Sequence, residues 1–150
     1  MKKRLWGIGI VVVLAFVLFL FNRGEVQVVK QDNLQLQALG SSGYQLNSTL
    51  RLHNPNFLSS TLVTLHEEYK LNNVTVAILN QELNQGIPGL KESAFPLSIR
   101  FTTADLQAAV KDSILPASLP LTIAGKLEYH NVMNSGTANI FFVDTVKFAP

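Results

Sequence analysis

The chain reads as all-β: a two-sheet antiparallel sandwich with one short α-helix, preceded by an N-terminal transmembrane helix. Three observations carry that reading. Apolar residues recur with period two in seven or eight short runs separated by turn residues, the pattern of strands that bury one face. Only one stretch of the remainder has helical spacing, whereas a parallel sheet needs a crossover helix after nearly every strand. The chain also opens on a long apolar run behind a basic cluster.

That run comes first. Met1-Lys2-Lys3-Arg4 precedes Leu5 to Phe21, which carries no charged side chain. As a helix its roughly 17 residues rise about 26 Å, slightly less than the ~30 Å hydrocarbon core of a bilayer. Leu5, Trp6, Val12, Phe16 and Phe21 are its expected anchor residues, with Trp6 at the interface. A cleaved signal peptide has a shorter apolar core and a small-x-small cleavage site. The exit here, Phe19-Leu20-Phe21-Asn22-Arg23-Gly24, offers no good cleavage pair, so an uncleaved signal-anchor is preferred to secretion after cleavage. The basic residues before the run outnumber Arg23 after it, which predicts a single-pass protein with a cytoplasmic N-terminus. Residues 1–24 are then the anchor, and 25–150 form one domain in the periplasm or outside the cell.

From Glu25 the alternation begins. Val26 and Val28, then Leu34, Leu36 and Ala38, precede the run Tyr44, Leu46, Leu50, Leu52. His53-Asn54-Pro55-Asn56-Phe57 closes that strand, because proline supplies no ladder donor and pushes Asn54 into an extended conformation. The flanking asparagines can bond their own backbone and tolerate unusual φ/ψ. Leu65, Glu67, Tyr69 and Leu71 share one parity of the next run, and Asn72-Asn73 separates it from Val74 to Leu79. Two asparagines between β-rich runs suit a two-residue hairpin turn that needs φ > 0 at both positions.

Gln85-Gly86-Ile87-Pro88-Gly89 reads as a loop. Phe95, Leu97, Ile99 and Phe101 then alternate in a strand whose Pro96 indicates an edge or first-residue position. Leu106, Ala109, Val110, Ser113 and Ile114 fall at helical spacing, with Thr102 or Thr103 as N-cap, Asp105 in the first turn, and Pro116 as the stop. Two strands finish the chain, Leu119 to Tyr129 and Thr137 to Phe148, the latter with Ile140, Phe142, Val146 and Phe148 inward. Phe141 has the opposite parity and is expected to lie under the helix or a loop. Roughly 125 residues suffice for a single core.

Composition narrows the function classes. The formal charge of +2 is local: without Lys2, Lys3 and Arg4, the acidic side chains outnumber the basic ones by one. No concentrated basic face exists for phosphate neutralisation, so nucleic acid is not an expected partner. There are no cysteines, which excludes disulfides, thiolate nucleophiles and Cys-based zinc sites.

The strand ending in His53-Asn54-Pro55-Asn56, the Tyr69-Lys70-Leu71-Asn72-Asn73-Val74 hairpin, Gln85-Gly86-Ile87-Pro88 and Phe95-Pro96-Leu97-Ser98-Ile99 together resemble the type 2 late embryogenesis abundant family. It is also called the WHy, or water stress and hypersensitive response, domain. The similarity runs over roughly Val28 to Tyr129 and looks like a bacterial, membrane-anchored member. Asn72-Asn73 departs from the glycine common in the family's hairpin turn. The resemblance implies a fibronectin-III-like or immunoglobulin-like sandwich and a protective role in desiccation and other stress, without catalysis.

The remaining polar residues form no catalytic or metal-binding pattern. His66-Glu67-Glu68 lacks the second histidine of a metalloprotease helix, since position 70 is lysine. His53 and His130 at strand ends could meet across a sandwich rim, but isolated rim histidines are far commoner than ligands. Gly40-Ser41-Ser42-Gly43 has the wrong spacing for a nucleophile elbow and reads as a turn. Asp105 and Asp112 read as a solvated helix face. No enzyme, metal or cofactor is therefore expected. The expected function is a membrane-tethered domain that stabilises proteins or membranes of the cell envelope by contact with unfolding clients. The alternative is an envelope assembly module that binds one protein partner or a lipid.

Overall fold

The computed structural model describes residues 2–21, 23–110 and 117–147, with side chains throughout except at 2–9 and 41. The elements run α1 (Lys2–Leu20), β1 (Gln27–Ala38), β2 (Tyr44–Asn54), β3 (Ser60–Leu71), β4 (Val74–Ile87), β5 (Lys91–Phe101), α2 (Thr103–Val110), β6 (Ser118–His130) and β7 (Ser135–Lys147). A short 3-10 turn at Gly40–Ser42 joins β1 to β2.

Two antiparallel sheets form the sandwich, one in the order β1-β2-β5 and the other β4-β3-β6-β7. Period-two patterning determines which side chains face inward. In β2, Leu46, Leu50 and Leu52 are buried, in β5 Phe95, Leu97, Ile99 and Phe101, and in β3 Leu62, Leu65, Tyr69 and Leu71. Leu121, Ile123 and Leu127 of β6 complete the same core. Each fully buried leucine or isoleucine contributes roughly 1.5–3 kcal/mol, so the paired inner faces dominate stability. Leu106 and Ala109 of α2 are buried too. Thr102 is the N-cap residue: Asp105 N donates to Thr102 Oγ1 (3.2 Å), while Thr102 N and Oγ1 donate to Asp105 Oδ2 at 2.8 and 2.7 Å. These bonds hold the Asp105 carboxyl below its ordinary range.

Three sequence expectations are corrected. Gln85 to Ile87 belong to β4 rather than to a loop: Gln85, Gly86 and Ile87 pair with Leu62, Thr61 and Ser60. The ladder continues because β3 supplies partners up to Ser60, and it stops at Pro88, which has no donor. Phe141 is not covered; it is 68% exposed on β7.

The third correction concerns the N-terminus. Among the described residues no helix is long and apolar enough to cross a membrane. Helix α1 ends at Leu20 and spends its first turn on Lys2, Lys3 and Arg4. From Leu5 about 16 residues remain, roughly 24 Å against a ~30 Å core. The expected anchor of Leu5, Trp6, Val12, Phe16 and Phe21 is therefore not supported, and the single-pass and periplasmic placement falls with it. The side chains of Leu5 and Trp6 lie outside the described residues, while Val12, Phe16 and Phe21 are each at least 60% exposed. Ser113, Ile114, Pro116, Asp112 and Phe148 also lie outside the described residues.

Candidate functional site

The Asn54–Pro55–Asn56 corner is assembled where β2 runs out. Asn54 and Asn56 are both fully buried, and nearly every polar atom of the pair is spent on the protein itself. Asn54 Nδ2 donates to the carbonyls of Leu58 and Ile87, each at 3.0 Å. Its Oδ1 accepts from Asn56 N (3.0 Å) and Asn56 Nδ2 (2.9 Å), a local turn of the kind asparagine makes. Asn56 Nδ2 also donates to Gly24 O (2.7 Å), and Asn56 O accepts from Leu90 N (2.9 Å). The corner thus ties together the end of β2, the end of β4, the β4–β5 loop and the segment entering β1. Close packing demands glycine at Gly89, where a Cβ would meet Phe57 O at 2.2 Å. This arrangement offers a ligand almost nothing.

At the other end of β3, Asn72 (φ 48) and Asn73 (φ 65) form the β3–β4 turn, both in the left-handed region that asparagine tolerates. Asn72 N donates to Pro120 O (3.0 Å) and Asn72 Nδ2 to Ala109 O (3.0 Å). The Asn72 side chain thereby anchors the end of α2, and its backbone N the start of β6.

Chemistry lies instead inside the sandwich. Glu67 shares the inward parity of Leu65, Tyr69 and Leu71, and it is completely buried. Tyr69 donates its hydroxyl to Glu67 Oε2. From the opposite sheet, Gln31 Nε2 lies 3.3 Å from Glu67 Oε2, 3.2 Å from Tyr69 OH and 2.9 Å from Ser48 Oγ. Burial pushes the Glu67 carboxyl above its ordinary range, opposed by the Tyr69 and Gln31 bonds. Burial and the neighbouring Glu67 carboxylate push the Tyr69 phenol up as well. In the sequence Glu67 shares the inward parity of Leu65, Tyr69 and Leu71, but periodicity alone does not show that a carboxylate there stays in the core.

Above this cluster β1 bulges: Asp32 pairs with Thr49 and Gln35 with Asn47, so Asn33 and Leu34 together oppose Ser48. A cleft of about 390 Å³ lies at the bulge, lined by Asn33, Gln35, Asn47, Thr49 and Ser98 among others, none of them charged. His53 is on β2 and His130 on β6, in different sheets, and His66 is exposed beside Asn80 Oδ1. Among the described residues no three acidic, histidine or cysteine side chains are grouped to hold a metal ion. Gly40 to Gly43 is a turn with φ of 64° and 114° at its two glycines.

The outer face carries the other unabsorbed feature. β7 is an edge strand with β6 as its ladder neighbour, and Phe141 and Val143 project outward from it, 68% and 66% exposed.

Similar folds occur among solved structures. An Arabidopsis thaliana protein known from a solution structure is 9% identical, covers 83% of this chain and 84% of its own, and superposes with a TM-score of 0.69. A second solution structure, of a protein described as a candidate late embryogenesis abundant (LEA) protein, is 14% identical over 98% of this chain and 86% of its own, with a TM-score of 0.66. A crystal structure of a protein from Archaeoglobus fulgidus is 10% identical, covering 83% of this chain and 99% of its own, at a TM-score of 0.59. The chain has the β-sandwich fold of these proteins. At such identities the likeness is one of fold alone. No protein-family model matches the sequence, so membership of the WHy family is not established. No curated protein matches it either.

Proposed function

We propose that this chain is a non-catalytic protective domain that limits aggregation of other proteins under water stress through the surface of its folded sandwich. The observation that carries the reading is the exposed pair Phe141 and Val143 on the outer face of edge strand β7. Exposed apolar side chains grouped on the outer face of a strand mark contact surfaces. The fold likeness to a structure described as a candidate LEA protein supports the same reading. A disordered, water-replacing shield is the wrong mechanism for this chain, because its apolar residues are committed to a packed core.

The test is to dry or freeze a labile client enzyme with the full chain at near-stoichiometric ratios. Client activity and solubility should be preserved beyond what an inert protein of equal mass achieves, and equal performance would overturn the proposal. A second reading gives the exposed Phe141 and Val143 one dedicated partner. Affinity capture separates the two readings: one stoichiometric partner supports dedicated binding, whereas a diffuse set of clients supports protection.

A further inference from the structure

We propose that Glu67 is a proton-operated latch between the two sheets, closed when its carboxyl carries a proton and loosened when the proton leaves. The geometry of the cluster supports this. Glu67 and Tyr69 come from β3 in one sheet, and Gln31 and Ser48 from β1 and β2 in the other. All four are buried, Gln31 at 6% exposure and Ser48 at 5%. Two acceptor oxygens, Glu67 Oε1 and Gln31 Oε1, are buried without a hydrogen-bond partner. A carboxylic acid and a primary amide are complementary in two contacts, amide N–H to carboxyl oxygen and acid O–H to amide oxygen. The first contact is present, as Gln31 Nε2 to Glu67 Oε2 at 3.3 Å. A proton on Glu67 Oε1 supplies the donor for the second.

The surroundings give an ionised Glu67 little compensation. Its ladder neighbours are Leu79 of β4 and Gly125 of β6. Among the described residues, Tyr69 is the titratable side chain bonded to it. On β1 and β2, Lys30 and Arg51 are engaged with Asp32. On β3, Lys70 pairs with Glu68 and His66 is exposed toward Asn80. Glu82 of β4, Lys126 and Glu128 of β6, Asp144 and Lys147 of β7, and Lys91, Glu92 and Arg100 of β5 are all exposed. A buried carboxylate that lacks a cation is costly and takes up a proton instead.

The sign of the pH effect follows. The folded-state pKa lies above the ordinary value of 4.5, so the stability supported by protonated Glu67 is complete below that value and is lost as pH rises through the folded-state pKa. Glu67→Gln supplies a permanent N–H donor in the acid's place and removes the titration.

The experiment follows the Glu67 side-chain carboxyl carbon of the full chain by NMR from about pH 4 to about pH 9, together with the thermal midpoints of the wild type and Glu67→Gln. The carboxyl should titrate above its ordinary range, and the wild-type midpoint should fall with rising pH relative to that of Glu67→Gln. A carboxyl that titrates at or below the ordinary value would overturn the latch, and so would parallel midpoint curves. If Glu67→Gln does not fold, the carboxyl titration of the native chain decides alone.

Discussion

Gln31 and Glu67 meet across the middle of the sandwich, with the Gln31 side-chain nitrogen 3.3 Å from Glu67 Oε2. They are 36 residues apart in sequence and belong to different sheets. The contact therefore exists only once both sheets have packed. A double-mutant cycle with Gln31→Leu and Glu67→Leu, each of which removes the polar contact, should show non-additivity of roughly 0.5–3 kcal/mol in chemical denaturation. Additive effects would show that the two side chains do not act on each other.

The Asn-Pro-Asn corner should behave as a structural tie. Asn54→Ala removes the donor to Leu58 O and to the buried Ile87 O, and a buried group such as Ile87 O left unpaired costs roughly 1–3 kcal/mol. Denaturant titration should show that loss in the free energy of unfolding, with client protection retained at temperatures where the variant stays folded. Unchanged stability with protection abolished would mean that the corner meets a partner.

Gly125 stands opposite Glu67 in the β3–β6 ladder. A Cβ there would lie 2.0 Å from the His66 carbonyl oxygen, so one strand must move to admit it. Gly125→Ala should cost at least about 1–3 kcal/mol, the range for overpacked sites, measured as a lowered thermal midpoint. A variant as stable as the wild type would show that β3 and β6 are not held at this spacing.

Much of the sandwich was legible because its signals are local. The alternation of Leu46, Leu50 and Leu52, or of Phe95, Leu97, Ile99 and Phe101, shows the inward face without knowledge of the partner strand. Asn72-Asn73 announces a turn through conformations that few other residues adopt. Features that depend on neighbours were not legible. Gly86 looks like a loop residue, yet pairing with Thr61 keeps it in β4. Phe141 was expected to be covered, but β7 lies at a sheet edge, and which strand takes the edge cannot be read from the strand itself. The N-terminal run read as a membrane span on hydropathy, whereas the helix ends at Leu20 and begins on three basic residues. Glu67 was visibly on the inward parity. Its partners Gln31 and Ser48, however, arrive from the opposite sheet, and periodicity does not indicate which residues will face each other across a core.

The most direct measurement of the protective role compares the wild type with a Phe141→Ser, Val143→Thr double variant in the drying assay. Both positions are exposed, so the substitutions should change stability by about 0.5 kcal/mol or less and leave the fold intact. The account predicts that the folded variant loses most of its protection of the client enzyme at equal ratios. Undiminished protection would contradict it and would place the activity on some other part of the surface.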